Sequence, residues 1–151
     1  MNKRNRILSN RHYCTFIKNF ILFLIGGFIY VLLEIIYRGY SHWTMYMLGG
    51  VCFLLIGYIN KFLSWQTPVL LQMVIGDIII TLLELITGVI VNIILKWNIW
   101  DYSNLKYNLF GQISLQSSIC WYFISFIAIV LDDYLRYFLF HEKKPEYRKI
   151  I

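Results

Sequence analysis

The chain has 151 residues, 59% of them hydrophobic, with a mean hydropathy of +0.60 and a formal net charge of +6. A soluble domain of this size lacks the interior to hide so many Leu, Ile and Phe side chains. The 14 Lys and Arg residues concentrate at the two ends of the chain, flanking apolar runs, which the positive-inside rule explains without nucleic acid as a partner.

The expected fold is all-α, a polytopic transmembrane bundle of four spans in the cell membrane, with the lipid bilayer as its surroundings. Residues 1–14 read as a basic cytoplasmic leader carrying Lys3, Arg4, Arg6 and Arg11. The apolar run that follows is too long for the core of a secretory signal, and no A-x-A site follows it. Residues 15–37 are therefore the expected first span, with Lys18 snorkelling to the headgroups. Gly27, Tyr30, Glu34 and Arg38 share one helical face, and Glu34 and Arg38 form an i, i+4 pair. That face is either an ion pair at the membrane edge or a polar face turned into the bundle.

Residues 38–42 make a polar turn before the second span, 43–60. Gly50 and Gly57 lie seven residues apart on one face, where small residues let another helix approach. Trp43 and Trp65 read as interface anchors. The third span, 68–97, opens at Pro68, where a missing N–H does no harm. As a helix of about 30 residues it would run roughly 45 Å. That exceeds a hydrocarbon core of about 30 Å, so it should tilt.

One face of this third run carries Asp77, Thr81, Glu84, Gly88 and Asn92, and the opposite face is Ile, Leu and Val. An acidic residue at mid-membrane costs on the order of 2.5–3.5 kcal/mol on insertion scales. Such residues face a bundle interior or a wet cavity. They act there as structural hydrogen-bond partners, or in transport, proton transfer or ligand contact.

The segment KWNIWDYSNLKYNLFGQ, residues 96–112, breaks the helical pattern. Its aromatics favour the membrane interface and its Asn, Asp, Ser and Gly favour turns. A structured interfacial or partly re-entrant loop is expected. The fourth span, 113–140, starts with Gln116, Ser117 and Ser118. Asp132 and Asp133 should sit near the cytoplasmic headgroups, and residues 141–151 should form a flexible basic tail. With both termini cytoplasmic, the inner segments hold eleven Lys and Arg and the outer ones three, Arg38, Lys96 and Lys106. That asymmetry favours this orientation.

No P-loop, GxSxG, HExxH or Rossmann fingerprint is present. Cys14, Cys52 and Cys120 are isolated, and His12, His42 and His141 lie in separate flanking segments. No metal or cofactor is called for. Asp77, Glu84 and Asp101 could act as acid or base groups in an intramembrane enzyme, but no nucleophile accompanies them.

ELITGVIVNIILKWNIWDYSNLKYNLFGQISL, residues 84–115, resembles the signature of the CmpB-like ABC-transporter type IV permease family of bacterial membrane proteins. The matching positions are Glu84, Gly88, Trp100, Asp101, Tyr102, Ser103, Asn108, Gly111 and Ile113. EIIYRGYSHWTMYMLGG, residues 34–50, is similar to that family's first hairpin. The resemblance spans roughly residues 26–121. Lys106-Tyr107 stand where the family often has Pro-Phe, Gln112 where a basic residue is common, and Ser114 where Cys is frequent.

The resemblance implies a transport component, and ATP coupling would then need a separate ATPase. Three functions stay open. The first is a permease-like component, a homo-oligomer or a subunit beside a partner membrane protein, with Glu34, Asp77, Glu84 and Asn92 lining its path. The second is a structural or regulatory subunit that docks a partner through Trp100, Asp101, Tyr102, Ser103, Asn108, Gly111 and Gln112. The third, least supported, is an intramembrane enzyme acting on a lipid-linked substrate.

Overall fold

Long apolar runs with few interior breakers wind into helices, because in lipid every backbone polar group must be satisfied within its own segment. In the computed structural model, which describes residues 3–63 and 67–147 with side chains of the first helix from Cys14 onward, α1 covers Lys3–Arg38. The leader and the first span are thus one continuous helix. The side chains of Lys3, Arg4, Arg6 and Arg11, together with Trp65, Arg148 and Lys149, lie outside the described residues. Gly39 ends α1 with φ +83°, a left-handed cap whose N–H reaches Ile35 O at 2.9 Å.

Helix α2, Trp43–Gly57, is capped by His42, and after a break at Tyr58 the short α3, Ile59–Phe62, completes the run. Helix α4 covers Val69–Gly88 and continues as a π-helical segment over Val89–Ile94. The third helical run therefore ends three residues before the expected 97. Strands β1, Asn108–Leu109, and β2, Ile113–Ser114, pair antiparallel and take up the expected start of the fourth span. Helix α5, Leu115–Phe140, begins instead at a capping box between Ser114 and Ser117.

Among the described residues, four helical stretches are long and apolar enough to cross a membrane: Cys14–Arg38, Trp43–Phe62, Val69–Ile94 and Leu115–Phe140. Helix α1 packs along α2, α4 packs along α5, and α2 touches both α4 and α5. The first pair interlocks reciprocally. A Cβ on Gly26 would run into Phe53 of α2, and one on Gly49 of α2 would run into Tyr30 of α1. Small residues here let the backbones approach closely. Gly50 likewise faces Phe23 of α1, whereas Gly57 faces Asp132 of α5, so the two glycines of the predicted face admit two different helices.

The core runs through Tyr30, Met45, Cys52, Ile56, Ile80 and Ile129 and continues into Ile99 and Trp100 of the 95–112 loop. The outer faces carry Phe28, Ile78, Leu82, Ile86 and Phe123, all exposed, which suits contact with lipid. At the terminal end the polar groups pack against the bundle. Asp132 and Asp133 are buried in the bundle. Residues 141–147 fold back against it: Glu142 pairs with Lys18 at 3.0 Å and Tyr147 donates to Asp133 at 2.6 Å. Lys18 therefore meets a carboxylate rather than free headgroups, because the tail brings one within reach.

Candidate functional site at the loop end of the bundle

Packing splits the predicted polar stripe of α4 lengthwise. The buried line along α4 runs through Met73, Gly76, Ile80, Glu84 and Gly88. Glu84 is 1% exposed and Asn92 8%. Asp77 and Thr81 lie beside that line and stay half-buried. The Thr81 hydroxyl donates to Asp77 Oδ1 at 3.2 Å and lies 3.2 Å from the Ser118 hydroxyl of α5. The stripe is thus two features, a buried one facing the loop and an edge facing out between α4 and α5.

Both oxygens of Glu84 are occupied. Tyr102 OH donates to Oε1 at 3.1 Å, and Trp121 Nε1 of α5 donates to Oε2 at 2.8 Å. Tyr30 of α1 stacks on Trp121 with ring centroids 5.6 Å apart. One carboxylate therefore ties the loop to α5 in the middle of a three-helix contact.

Two turns further on, Asn92 donates to Trp100 O at 3.0 Å and to Gln112 Oε1 at 2.8 Å, and accepts from Ile99 N at 2.7 Å. Trp100 Nε1 donates to Gln112 O at 3.0 Å. Gly88 leaves the room this needs, since a Cβ there would sit 2.6 Å from Gln112 Oε1. The wider π turn buries Val91 and Asn92 together under the loop, and Trp97 N reaches back to Val91 O at 2.9 Å.

The loop itself is a hydrogen-bonded cap. Asp101 Oδ1 accepts from Ser103 N at 2.8 Å and from the Ser103 hydroxyl. These bonds hold its carboxyl below the usual carboxylate range. Asn108 donates to Leu105 O at 2.7 Å and accepts from Gly111 N at 3.1 Å. Tyr102 N donates to Gly111 O at 2.8 Å, and Gly111 has φ +67° in the turn between the strands. Burial, and then the negative charge of Glu84, push the Tyr102 hydroxyl well above its ordinary value, so it stays a donor.

Glu34 takes no part in the Glu84 contacts. It pairs with Arg38 at 2.6 Å and accepts from Ser41 at 2.6 Å, while Arg38 donates to Ile99 O at 2.9 Å. The predicted α1 face is thus an ion pair at the helix end that also holds the cap. Trp100 is buried at 7%, its indole lying against Gly88 and donating to Gln112 O.

The sequence did not single out Trp121, which supplies half of the Glu84 contacts from 37 residues away. It also underrated Asp132 and Arg136, whose i, i+4 spacing inside an apolar run was the available signal. Among the described residues, no three His, Cys, Asp or Glu side chains group as metal ligands.

Four apolar helices, a lipid-suited surface and a cap of ordered loop define an integral, multi-pass membrane protein. A family model described as "Putative ABC-transporter type IV" matches residues 21–150, and the chain belongs to that family. No curated protein and no solved structure matches the chain.

Proposed function

We propose that this chain is a membrane subunit of a permease assembly, with the Glu84–Asn92 contacts acting as a structural clamp and the Asp77–Thr81–Ser118 edge meeting another membrane helix. The observation that carries this is the contrast between the two carboxylates of α4. Glu84 has both oxygens engaged inside the chain. Asp77 is half-buried with Thr81 as its donor, beside the exposed Val74, Ile78 and Leu82. A carboxylate on a lipid face is costly, and such residues pair with protein or line a wet path. A second copy of this chain, or a partner membrane protein, would supply that cover, and a separate ATPase would supply any ATP coupling.

The same proposal puts the chain ends in the cytoplasm and the cap outside, on the eleven-to-three distribution of Lys and Arg. A docking role for the cap is the second reading, supported by Tyr107 and Phe110 at 80% and 70% exposed.

The test uses cysteine crosslinking in native membranes, with Cys14, Cys52 and Cys120 replaced by Ser. Thr81→Cys is expected to form a disulfide between copies, or to be shielded from a membrane-soluble thiol reagent by a partner. Phe28→Cys, on the exposed face of α1, is expected to do neither. A Thr81→Cys chain as reactive and as uncrosslinked as Phe28→Cys would overturn the proposal.

A further inference from the structure

The opposite end of the bundle holds polar groups that the cap and the Asp77 edge do not use. Arg136 is 4% exposed and Asp132 0%, and they pair through Arg136 Nε and Asp132 Oδ2 at 2.5 Å. The Arg136 guanidinium lies 5.5 Å from the centre of the Tyr58 ring. Both of its Nη groups are buried without a hydrogen-bond partner, as are Asn60 Oδ1 and Asp132 Oδ1. Buried donors left unpaired are rare and point to a missing partner.

Arg136 and Asn60 line a cleft of about 430 Å³ whose other walls are Gly57, Lys61, Asp133, His141, Glu142 and Lys143. The acidic residues of the cleft already have donors. Asp133 Oδ2 accepts from Asn60 and Tyr147, both at 2.6 Å, and Glu142 pairs with Lys18. The cations are less well served. Lys61 and Lys143 have no ion-pair partner among the described residues, and Lys61 lies over the Tyr58 ring.

We infer that this cleft binds a phosphate group, with Arg136 as the buried anchor and Lys61 and Lys143 at the rim. A guanidinium fork matches phosphate oxygens bidentately, and lysines add point charge. A protonated or hydroxyl-bearing phosphate would also offer a donor to Asn60 Oδ1. The phosphate could come from a lipid headgroup or from a soluble anion. The tail, held against the bundle by Lys18 and Asp133, brings His141 and Lys143 to the wall. This inference does not depend on the clamp or on the Asp77 edge.

The test uses the full chain in maltoside micelles, titrated with inorganic phosphate and separately with dioctanoyl phosphatidic acid. Melting temperature and 31P line broadening are the readouts. Binding should raise the melting temperature by mass action. The Lys61→Gln/Lys143→Gln chain should melt like the parent without ligand and bind at least tenfold more weakly. Arg136→Lys, which keeps a charge beside Asp132 but loses the fork, should lose a similar factor. If it fails to fold, the lysine pair carries the test. Tighter binding of the lipid than of phosphate, by tenfold or more, assigns a headgroup, and equal binding assigns a soluble anion. If neither probe acts beyond chloride at equal ionic strength, or if the lysine pair leaves affinity unchanged, the inference is overturned.

Discussion

The hydrogen bond between Tyr102 and Glu84 offers the most direct probe of the clamp. Tyr102→Phe removes one hydroxyl and little volume, leaving Glu84 with Trp121 as its remaining donor. A hydrogen bond to a charged group is worth about 1.5–3 kcal/mol net. Side-chain hydrogen bonds inside membrane proteins average about 0.6 and reach about 1.7 kcal/mol. The 1% exposure of Glu84 raises the worth of this bond and its 3.1 Å length, long for an O–H···O contact, lowers it, which leaves about 1 kcal/mol. Glu84→Gln keeps an acceptor for Trp121 and can still face Tyr102, so it should cost about 1 kcal/mol. A double-mutant cycle of Tyr102→Phe with Glu84→Ala, which removes the acceptor, with unfolding free energies from denaturation in mixed micelles, should give a coupling of about 1 kcal/mol. Transport by a reconstituted assembly should survive Glu84→Gln in proportion to the folded protein. Additivity within about 0.5 kcal/mol would refute the clamp. So would a fully folded Glu84→Gln chain that had lost all flux.

Other substitutions test separate parts of the same structure. Gly111→Ala should destabilise the cap by about 2 kcal/mol, because a left-handed L-residue costs about 1–2 kcal/mol and the new Cβ would sit 2.5 Å from Ser103 Oγ. Faster proteolysis within residues 97–112 would report it. At the other end, Asp132→Ala leaves Arg136 buried and unpaired and should cost about 3–5 kcal/mol, whereas the neutral pair Asp132→Asn/Arg136→Gln should recover most of that. Melting temperatures of the three chains decide the point. Asp101 has a carboxyl held low by Ser103, so its contribution is present above the unfolded value of about 3.9 and is lost as pH falls through the lower folded value. Amide exchange at Ser103 should therefore accelerate below about pH 4 in the parent and be independent of pH over that range in Asp101→Asn, once intrinsic exchange is corrected for.

Apolar length located all four membrane-crossing helices, because that signal is carried by many residues at once. The start of α5 escaped it, since Ile113 and Ser114 are as compatible with a helix as with the strand they form against Asn108 and Leu109. The same limit applied to the polar stripe. Helical spacing placed Asp77 and Glu84 on one face, about 20° apart, yet the first is half-open and the second fully engaged. Which neighbour lies on each side is set by α5, 37 residues further on. The tail looked flexible because its composition is polar and basic. Its order depends on Lys18 and Asp133, which no local pattern links to it.

The distribution of polar groups bears on where a solute could pass. The clamp and the cleft occupy opposite ends of the bundle, and between them the interior is Tyr30, Cys52, Ile56, Ile80 and Ile129. The cavity at that level is about 50 Å³ and is lined by side chains such as Phe53, Ile80 and Ala128. A space of that size and lining could admit a water but offers it few of the two to four polar partners it needs. A polar route inside one copy would have to break the contacts that hold α2 against α4 and α5. The Asp77–Thr81–Ser118 edge needs no such break, because it already lies at the surface. For the permease subunit proposed above, the lower physical cost lies in a path between subunits, with each chain giving one wall.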